Sequence, residues 1–332
     1  MMRKIIACSA FLLSASLASA EDFYKGKTLT MIVGFTAGGG FDTNARLLSR
    51  HITKHIQGKP DIVISNIVGA ASFTGLQYLE TRAPRDGTAL ATFNFGLIGD
   101  SKVFPERVKA DFRNYAWIGS ITPDVSICYM WAPLGTTTLD EVRKKAVVHM
   151  GNDGIGTSAY LIQNILKNIF NVNLKMVHGY PGTAEVRLAI QRGELDGDCG
   201  AWSSIPEAWI KGKNITPLWR TASILLPDIP SETPYVVDIA PNEKAKRVIR
   251  LLTASGQLGR PFITSAFSPK ERIEILRAAF DATMKDPDFL ADAAKLRQPV
   301  NPTNANQAME ILNAIYDAPP ELVAEARAAA GE

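Results

Sequence analysis

Short apolar, β-branched runs alternate along this chain with stretches whose apolar positions follow a helical period. The runs predict strands at Leu29–Phe35, Ile62–Asn66, Ala89–Phe93, Trp117–Ile121 and Ser126–Trp131. Further strands are predicted at Val147–Met150, Leu174–Val177, Gly197–Ala201, Thr216–Arg220 and Leu251–Gln257. Between the first two lies a predicted helix from Phe41 to Gln57, with Ala45, Leu48, Ile52 and Ile56 on one stripe. Asp42 and Thr43 mark its start and Gly58 its end. A later helix reads from a capping box, Ser268-Pro269-Lys270-Glu271, through Ile273, Leu276, Phe280 and Met284 to a stop at Asp286-Pro287. Strand and helix in alternation predict an α/β fold with mostly parallel sheets.

Thr122-Pro123-Asp124 interrupts this order after a strand, and Leu226-Pro227-Asp228-Ile229-Pro230-Ser231 forms a Pro-punctuated connector. The pattern between them is self-sufficient. We therefore expect a discontinuous first lobe, 21–121 with 226–332, and an inserted second lobe, 122–225, joined by two hinge crossings around a cleft. At the N-terminus, Arg3 and Lys4 precede the apolar run Ile5 to Leu17 and the small residues Ala18-Ser19-Ala20. This is the layout of a cleavable secretory leader, 1–20, too short to span a bilayer comfortably. Loss of that leader takes the formal charge from +3 to about +1, which gives no electrostatic reason to expect nucleic acid or an acidic membrane. It also removes Cys8 and leaves Cys128 and Cys199, in an oxidising compartment either a disulfide or two separately buried thiols.

The candidate chemistry lies in Gly-rich turns that lead into helices. They are Phe35-Thr36-Ala37-Gly38-Gly39-Gly40, then Gly69-Ala70-Ala71-Ser72, and Gly156-Thr157-Ser158 in the second lobe. A helix N-terminus presents unpaired N–H groups and partial positive charge, and glycine lets a ligand come close to them. Asn94, at the end of the third strand, shares the same rim in an α/β sheet. Tyr180-Pro181-Gly182 offers an aromatic wall, a phenol and free amides, and Trp202-Ser203 ends a strand with an indole that is either core or cleft. Asp42 is expected to tie down its loop rather than meet an anion.

Other chemistries fit poorly. The contiguous Gly38-Gly39-Gly40 is not the spaced dinucleotide fingerprint, and no phosphate-loop lysine follows. His51 and His55 share a helix face without a third metal ligand and read as a solvated face, so no metal and no cofactor is expected. Ser72, Ser158 and Ser203 have no readable His partner and no nucleophile elbow, which argues against the rival reading of a secreted hydrolase. The residues point to a monomeric binder of carboxylates.

Taken together, Tyr24-Lys25-Gly26-Lys27, Ala37-Gly38-Gly39-Gly40-Phe41-Asp42-Thr43 with Arg46, and Asn66 with Gly69-Ala70-Ala71 resemble a known family. The likeness continues through Ala83-Pro84-Arg85-Asp86-Gly87-Thr88, Tyr180-Pro181-Gly182-Thr183-Ala184, Gly193-Glu194-Leu195-Asp196-Gly197 and Lys285-Asp286-Pro287-Asp288-Phe289. The chain resembles the substrate-binding receptors of tripartite tricarboxylate transporters, the Bug family. That resemblance implies a type II periplasmic-binding-protein fold, two α/β lobes with a ligand cleft. It also implies a periplasmic receptor that delivers an organic acid to membrane transporter subunits, although a sensory role is not distinguished by sequence. Phe35 to Gly39 and Gly69 to Ser72 would hold one carboxylate, and Gly156 to Ser158 with Tyr180 to Gly182 would close from the other lobe. Phe41, Ala71 and Asp198-Cys199-Gly200-Ala201-Trp202-Ser203-Ser204 depart from the family pattern, and Trp202 with Tyr180 would suit a mono-, di- or tricarboxylate that is flat or aromatic.

Overall fold

The apolar run after Lys27 becomes β1 (Thr28–Val33), in which Leu29, Met31, Ile32 and Val33 are fully buried. Burial on both faces is what a central parallel strand requires. These features come from a computed structural model that describes residues 23–331. The expected leader, 1–20, lies outside the described residues. β1 lies between β2 (Asp61–Asn66) and β3 (Ala89–Thr92) and runs parallel to both. The crossovers are α1 (Gly40–Ile52) and α2 (Phe73–Thr81), and α3 (Gly96–Val103) leads on from β3 to β4 (Ala116–Ser120). On α1 the expected stripe holds, since Ala45, Leu48 and Ile52 are 0% exposed and Ile56 in the following tight turn is 1%.

From Ser120 the chain passes to a second sheet. β5 (Ser126–Trp131) is followed by α4 (Leu139–Arg143), β6 (Val148–Gly151), α5 (Ser158–Asn164), β7 (Leu174–Val177) and α6 (Thr183–Gln191). β8 (Gly197–Ala201), α7 (Glu207–Lys211) and β9 (Ile215–Arg220) complete it, in the order β7-β6-β8-β5-β9. The return goes through α8 (Glu243–Thr253), β10 (Pro261–Thr264), α9 (Lys270–Thr283), α10 (Pro287–Lys295), β11 (Thr303–Asn304), α11 (Ala305–Tyr316) and α12 (Pro320–Ala329). The first sheet then reads β11-β4-β10-β3-β1-β2, with β10 antiparallel to both its neighbours.

Four expectations need correction. The sheets are mixed rather than mostly parallel, because β10 and β11 in the first sheet and β5 with β8 and β9 in the second pair antiparallel. The apolar run Leu251–Gln257 is not a strand but the end of α8 and a tight helical turn. Asn242 caps α8 by accepting from the Ala245 N–H at 2.9 Å, so the apolar positions fall on a helical stripe of Val248, Ile249, Leu251 and Leu252. The strand that rejoins the first sheet is Pro261–Thr264 instead. Ser268 does not cap α9: Pro269 occupies the cap position, and the Ser268 hydroxyl faces Thr264 Oγ1 at 3.4 Å. His51 and His55 are not a solvated face, because α10 packs over them. Their Nε2 atoms lie 3.0 Å from Asp292 and 2.7 Å from Asp286.

Beyond the connector the chain does not simply return to the first sheet. Val236, Val237, the stripe of α8 and Ala326 of α12 pack in one core with Met130, Val148, Ile165 and Trp219 of the second. Cys128 on β5 and Cys199 on β8 stand directly opposite in antiparallel register, Cα atoms 4.0 Å apart, and form a disulfide within that core. The bridge joins residues 71 apart, a loop long enough that its loss is expected to cost about 2–4 kcal/mol. Thermal or urea melts of Cys128→Ser against the parent should differ by that amount, and coincident melts would show the bridge to be idle.

Candidate functional site

The turn after β1 is held in shape by one buried carboxylate. Asp42, 2% exposed, accepts from the Gly38 N–H at 2.9 Å, from Asn66 Nδ2 at 3.0 Å and from Arg46 Nε at 2.8 Å. Burial opposes its ionisation, yet the hydrogen bonds from Arg46, Asn66 and Gly38 together hold its pKa below the ordinary carboxylate value. Asn66 also donates to the Phe35 carbonyl at 2.7 Å. With the loop fixed from outside, Gly39 stands at the N-cap of α1 and no side chain accepts from its first turn.

The turn Gly69–Ser72 is not a plain helix start. Ala70, Ala71 and Ser72 all have positive φ, 44°, 54° and 78°, after Gly69 at 141°. This left-handed run swings Ser72 against Gly34, where an added Cβ would come within 2.1 Å of the Ser72 Cβ. Ser72 Oγ then accepts from the Asn94 N–H at 2.9 Å. Asn94 is thereby set to span the cleft: its Oδ1 accepts from Gly96 N–H at 2.7 Å and, from the other lobe, from Ser158 N–H at 3.0 Å.

On the second lobe Thr157 caps α5, accepting from the Tyr160 N–H at 3.2 Å. Gly182 opens α6 without a side-chain cap and faces Thr36, whose Oγ1 lies 2.8 Å from where a Cβ would be. A cavity of about 50 Å³ remains between the lobes. Of the residues singled out in the sequence, Phe35, Thr36, Gly39, Asn94, Ser158 and Gly182 line it. Ala37, Gly38, Gly69, Ala70, Ala71, Ser72, Gly156, Thr157, Tyr180, Pro181 and Ser203 do not line it, although Ser72 bonds the Asn94 N–H. Trp202 belongs to the core. It is 3% exposed, packs with Val125, Ile205 and Trp209, and donates its indole N–H to the Pro227 carbonyl at 3.3 Å. The expected indole wall for a flat acid is therefore absent from the cavity. A larger space of about 860 Å³, between α4 and the Pro-rich connector, contains none of the glycine turns.

Sequence reasoning missed the charged lining. Arg260, 3% exposed, reaches the cavity from the start of β10. Its Nη1 donates to Asp124 Oδ1 at 3.2 Å and to the Gly259 carbonyl at 2.8 Å, while its Nε has no partner. Burial pushes the Asp124 carboxyl up and Arg260 pulls it back. Asp153 lines the facing wall, where burial first, then Asp198 and Glu185, push its pKa up to about 7. Behind it, burial raises Asp198 to about 6 despite Arg187 and the Cys199 N–H. No motif flags Arg260, because its partner lies 136 residues away. Asp153 was visible inside the turn Gly151–Ser158 but gave no sign of facing the cleft. Among the described residues no group of three or more His, Cys, Asp or Glu is placed to hold a metal.

No family model matches the chain. It is 25% identical over 201 residues to a UPF0065 protein of Pseudomonas sp. strain P51, covering 58% of this chain and 59% of that protein, so it spans about three fifths of that curated relative. The periplasmic binding protein BugD superposes with a TM-score of 0.74 at 20% identity, covering 93% of this chain and 99% of its own. MatC from Rhodopseudomonas palustris, with bound malate, gives 0.71 at 18% identity, covering 90% and 99%. The fold is that of the Bug-type periplasmic binding proteins. In this chain Phe35, Thr36, Gly39 and Gly40 of the first-lobe turn and the second-lobe residues Ser158 and Gly182 line one cavity together with Asp124, Asp153 and Arg260.

A carboxyl whose folded pKa is raised binds protons more readily in the native than in the unfolded state, so it erodes stability as pH climbs. For Asp153 that erosion begins near pH 4 and is complete just above its folded value of about 7. Asp153→Asn should match the parent in denaturant midpoint at pH 4 and exceed it at pH 8 by on the order of 2 kcal/mol. An advantage independent of pH would contradict a half-buried, unpaired carboxyl.

Proposed function

We propose that this chain is an extracytoplasmic receptor that takes up an organic carboxylate between its lobes and presents it to a membrane transporter of the tripartite tricarboxylate type. One observation carries the reading: the uncapped N-termini of α1 and α6 and the Arg260 guanidinium line a single inter-lobe cavity. Each offers N–H donors, and a carboxylate supplies four acceptor positions. The solved structure of MatC with malate supports the same class of ligand. A periplasmic location is supported by the leader-like N-terminal sequence and by the periplasmic binding protein that shares the fold.

The mechanism is closure. In water each donor is hydrated; between shut lobes it faces the ligand in a medium of low dielectric, where charge-assisted hydrogen bonds gain strength. Only a ligand with higher affinity for the shut form shifts the population towards it. Transporter recognition then reads the shut surface.

Closure demands that Gly96 come against the neighbouring lobe, where an added Cβ would stand 2.4 Å from the Ser158 nitrogen. That neighbour is backbone and cannot swing aside. Gly96→Ala is expected to prop the lobes apart, weakening carboxylate binding about tenfold or more while leaving a folded protein. Calorimetry against a panel of mono-, di- and tricarboxylates, with solution scattering for compaction, checks this. If no acid in the panel binds the parent chain, or if scattering is unchanged at saturation, the receptor reading fails.

A further inference from the structure

The turn that ends α10 reaches across to the second lobe. The Gln298 N–H donates to the Ala293 carbonyl at 2.9 Å and the Arg297 N–H to the Ala294 carbonyl at 3.0 Å, the paired bonds of a helix C-terminal turn. Such a turn needs a left-handed residue, normally glycine, and here Arg297 takes that position with φ 53°. The arginine side chain bonds the facing lobe. Its Nη1 donates to the Ile205 carbonyl at 3.4 Å, and its Nη2 lies 3.7 Å from Asp228 Oδ2. Asp228 is also left-handed, at φ 69°, in the Pro-punctuated connector whose Leu226 and Ile229 pack with Trp202 in the second lobe. Gln298, 6% exposed, completes the bridge: its Oε1 accepts from Asn44 Nδ2 of α1 at 2.8 Å, and its Nε2 donates to the Ser203 carbonyl at 3.2 Å.

Arg297, Gln298 and Asp228 do not line the inter-lobe cavity; they border a separate groove of about 440 Å³. We propose that Arg297 and Gln298 form a latch that holds the shut lobes together from outside the cavity and sets the balance between open and shut forms. Both are positioning residues, and the effect on affinity rests on the receptor reading. A contact made only when the lobes meet favours the shut form before any ligand arrives. The affinity of every ligand then follows the population of the shut form, whatever the ligand's own chemistry. Strain at Arg297 points the same way. Glycine would suit the backbone there better, but only a long side chain with N–H donors crosses to Ile205 and Asp228.

Arg297→Gly separates the latch from the fold, because glycine fits the left-handed position. Its denaturant midpoint is expected to equal or exceed the parent's. Calorimetry against malate, succinate, adipate and benzoate is expected to show every acid that binds the parent weakened by one common factor of about three to ten. In the ligand-free protein the Ser158 N–H, which donates to Asn94 across the cleft, should exchange with deuterium about threefold or more faster. Asp228→Asn removes the exposed partner's charge, and asparagine tolerates the same backbone. It should reproduce part of the loss and add nothing to Arg297→Gly in the double variant. Unchanged affinity or unchanged exchange in Arg297→Gly overturns the latch. So do a lowered midpoint, losses that differ from acid to acid, or losses that add in full in the double variant. If no acid binds the parent, the receptor reading fails and Ser158 exchange alone decides the latch.

Discussion

Everything at the cleft depends on backbone approaching backbone more closely than a side chain allows. Gly34 admits Ser72, Gly96 admits the first turn of α5, and Gly40 sits where a Cβ would lie 2.3 Å from Ser204 Oγ. At Gly34 and Gly96 one methyl group would meet backbone and bar the contact, whereas beside Gly40 it would meet a side-chain hydroxyl. The consequence is chemical as well as steric, since a peptide N–H that is not screened by its own Cβ can be delivered to a ligand. The same contacts account for a small cavity between two large lobes.

Arg260 adds a charge that backbone dipoles alone do not supply. A buried guanidinium is tolerable only when paired, and Asp124 pairs it at the point where the chain crosses between lobes. The pair is not symmetrical in its hydrogen bonding. Asp124 also receives the Ser126 hydroxyl and, through its backbone N–H, holds the Gly256 carbonyl at 2.7 Å, whereas Arg260 keeps one N–H in reserve. The ion pair thus stands where the chain passes between the sheets and lines the cavity from both partners. Loss of either partner would leave a buried charge uncompensated, at a cost of about 3–5 kcal/mol.

Much of the fold was legible because its elements are locally consistent. β1, α1 and the strands of the second sheet appear at their apolar runs, and the pairing of Cys128 with Cys199 was one of two open readings. The failures share a cause. Leu251–Gln257 looked like a strand because seven residues of apolar pattern were read without the Asn242 cap that sets a helical phase well upstream. His51 and His55 looked solvated because the helix that covers them arrives more than 200 residues later. At the cleft, turns that bear their function in the backbone were readable from glycine. Arg260 and Asp153 were not, since a lone charged residue in a loop carries no trace of what it faces.

The left-handed run at Ala70–Ser72 shows how the pieces are joined. Non-glycine residues with positive φ cost about 1–2 kcal/mol each, and here three stand in succession. Such strain survives only where the surroundings fix it, and the contacts of Ser72 say what it achieves. Brought against Gly34, Ser72 fixes the Asn94 backbone, and Asn94 is the side chain that accepts from Ser158 across the cleft. A relaxed turn would withdraw Ser72 and leave the Asn94 N–H without its acceptor. The strain in one lobe is therefore tied through Asn94 to a hydrogen bond with the other.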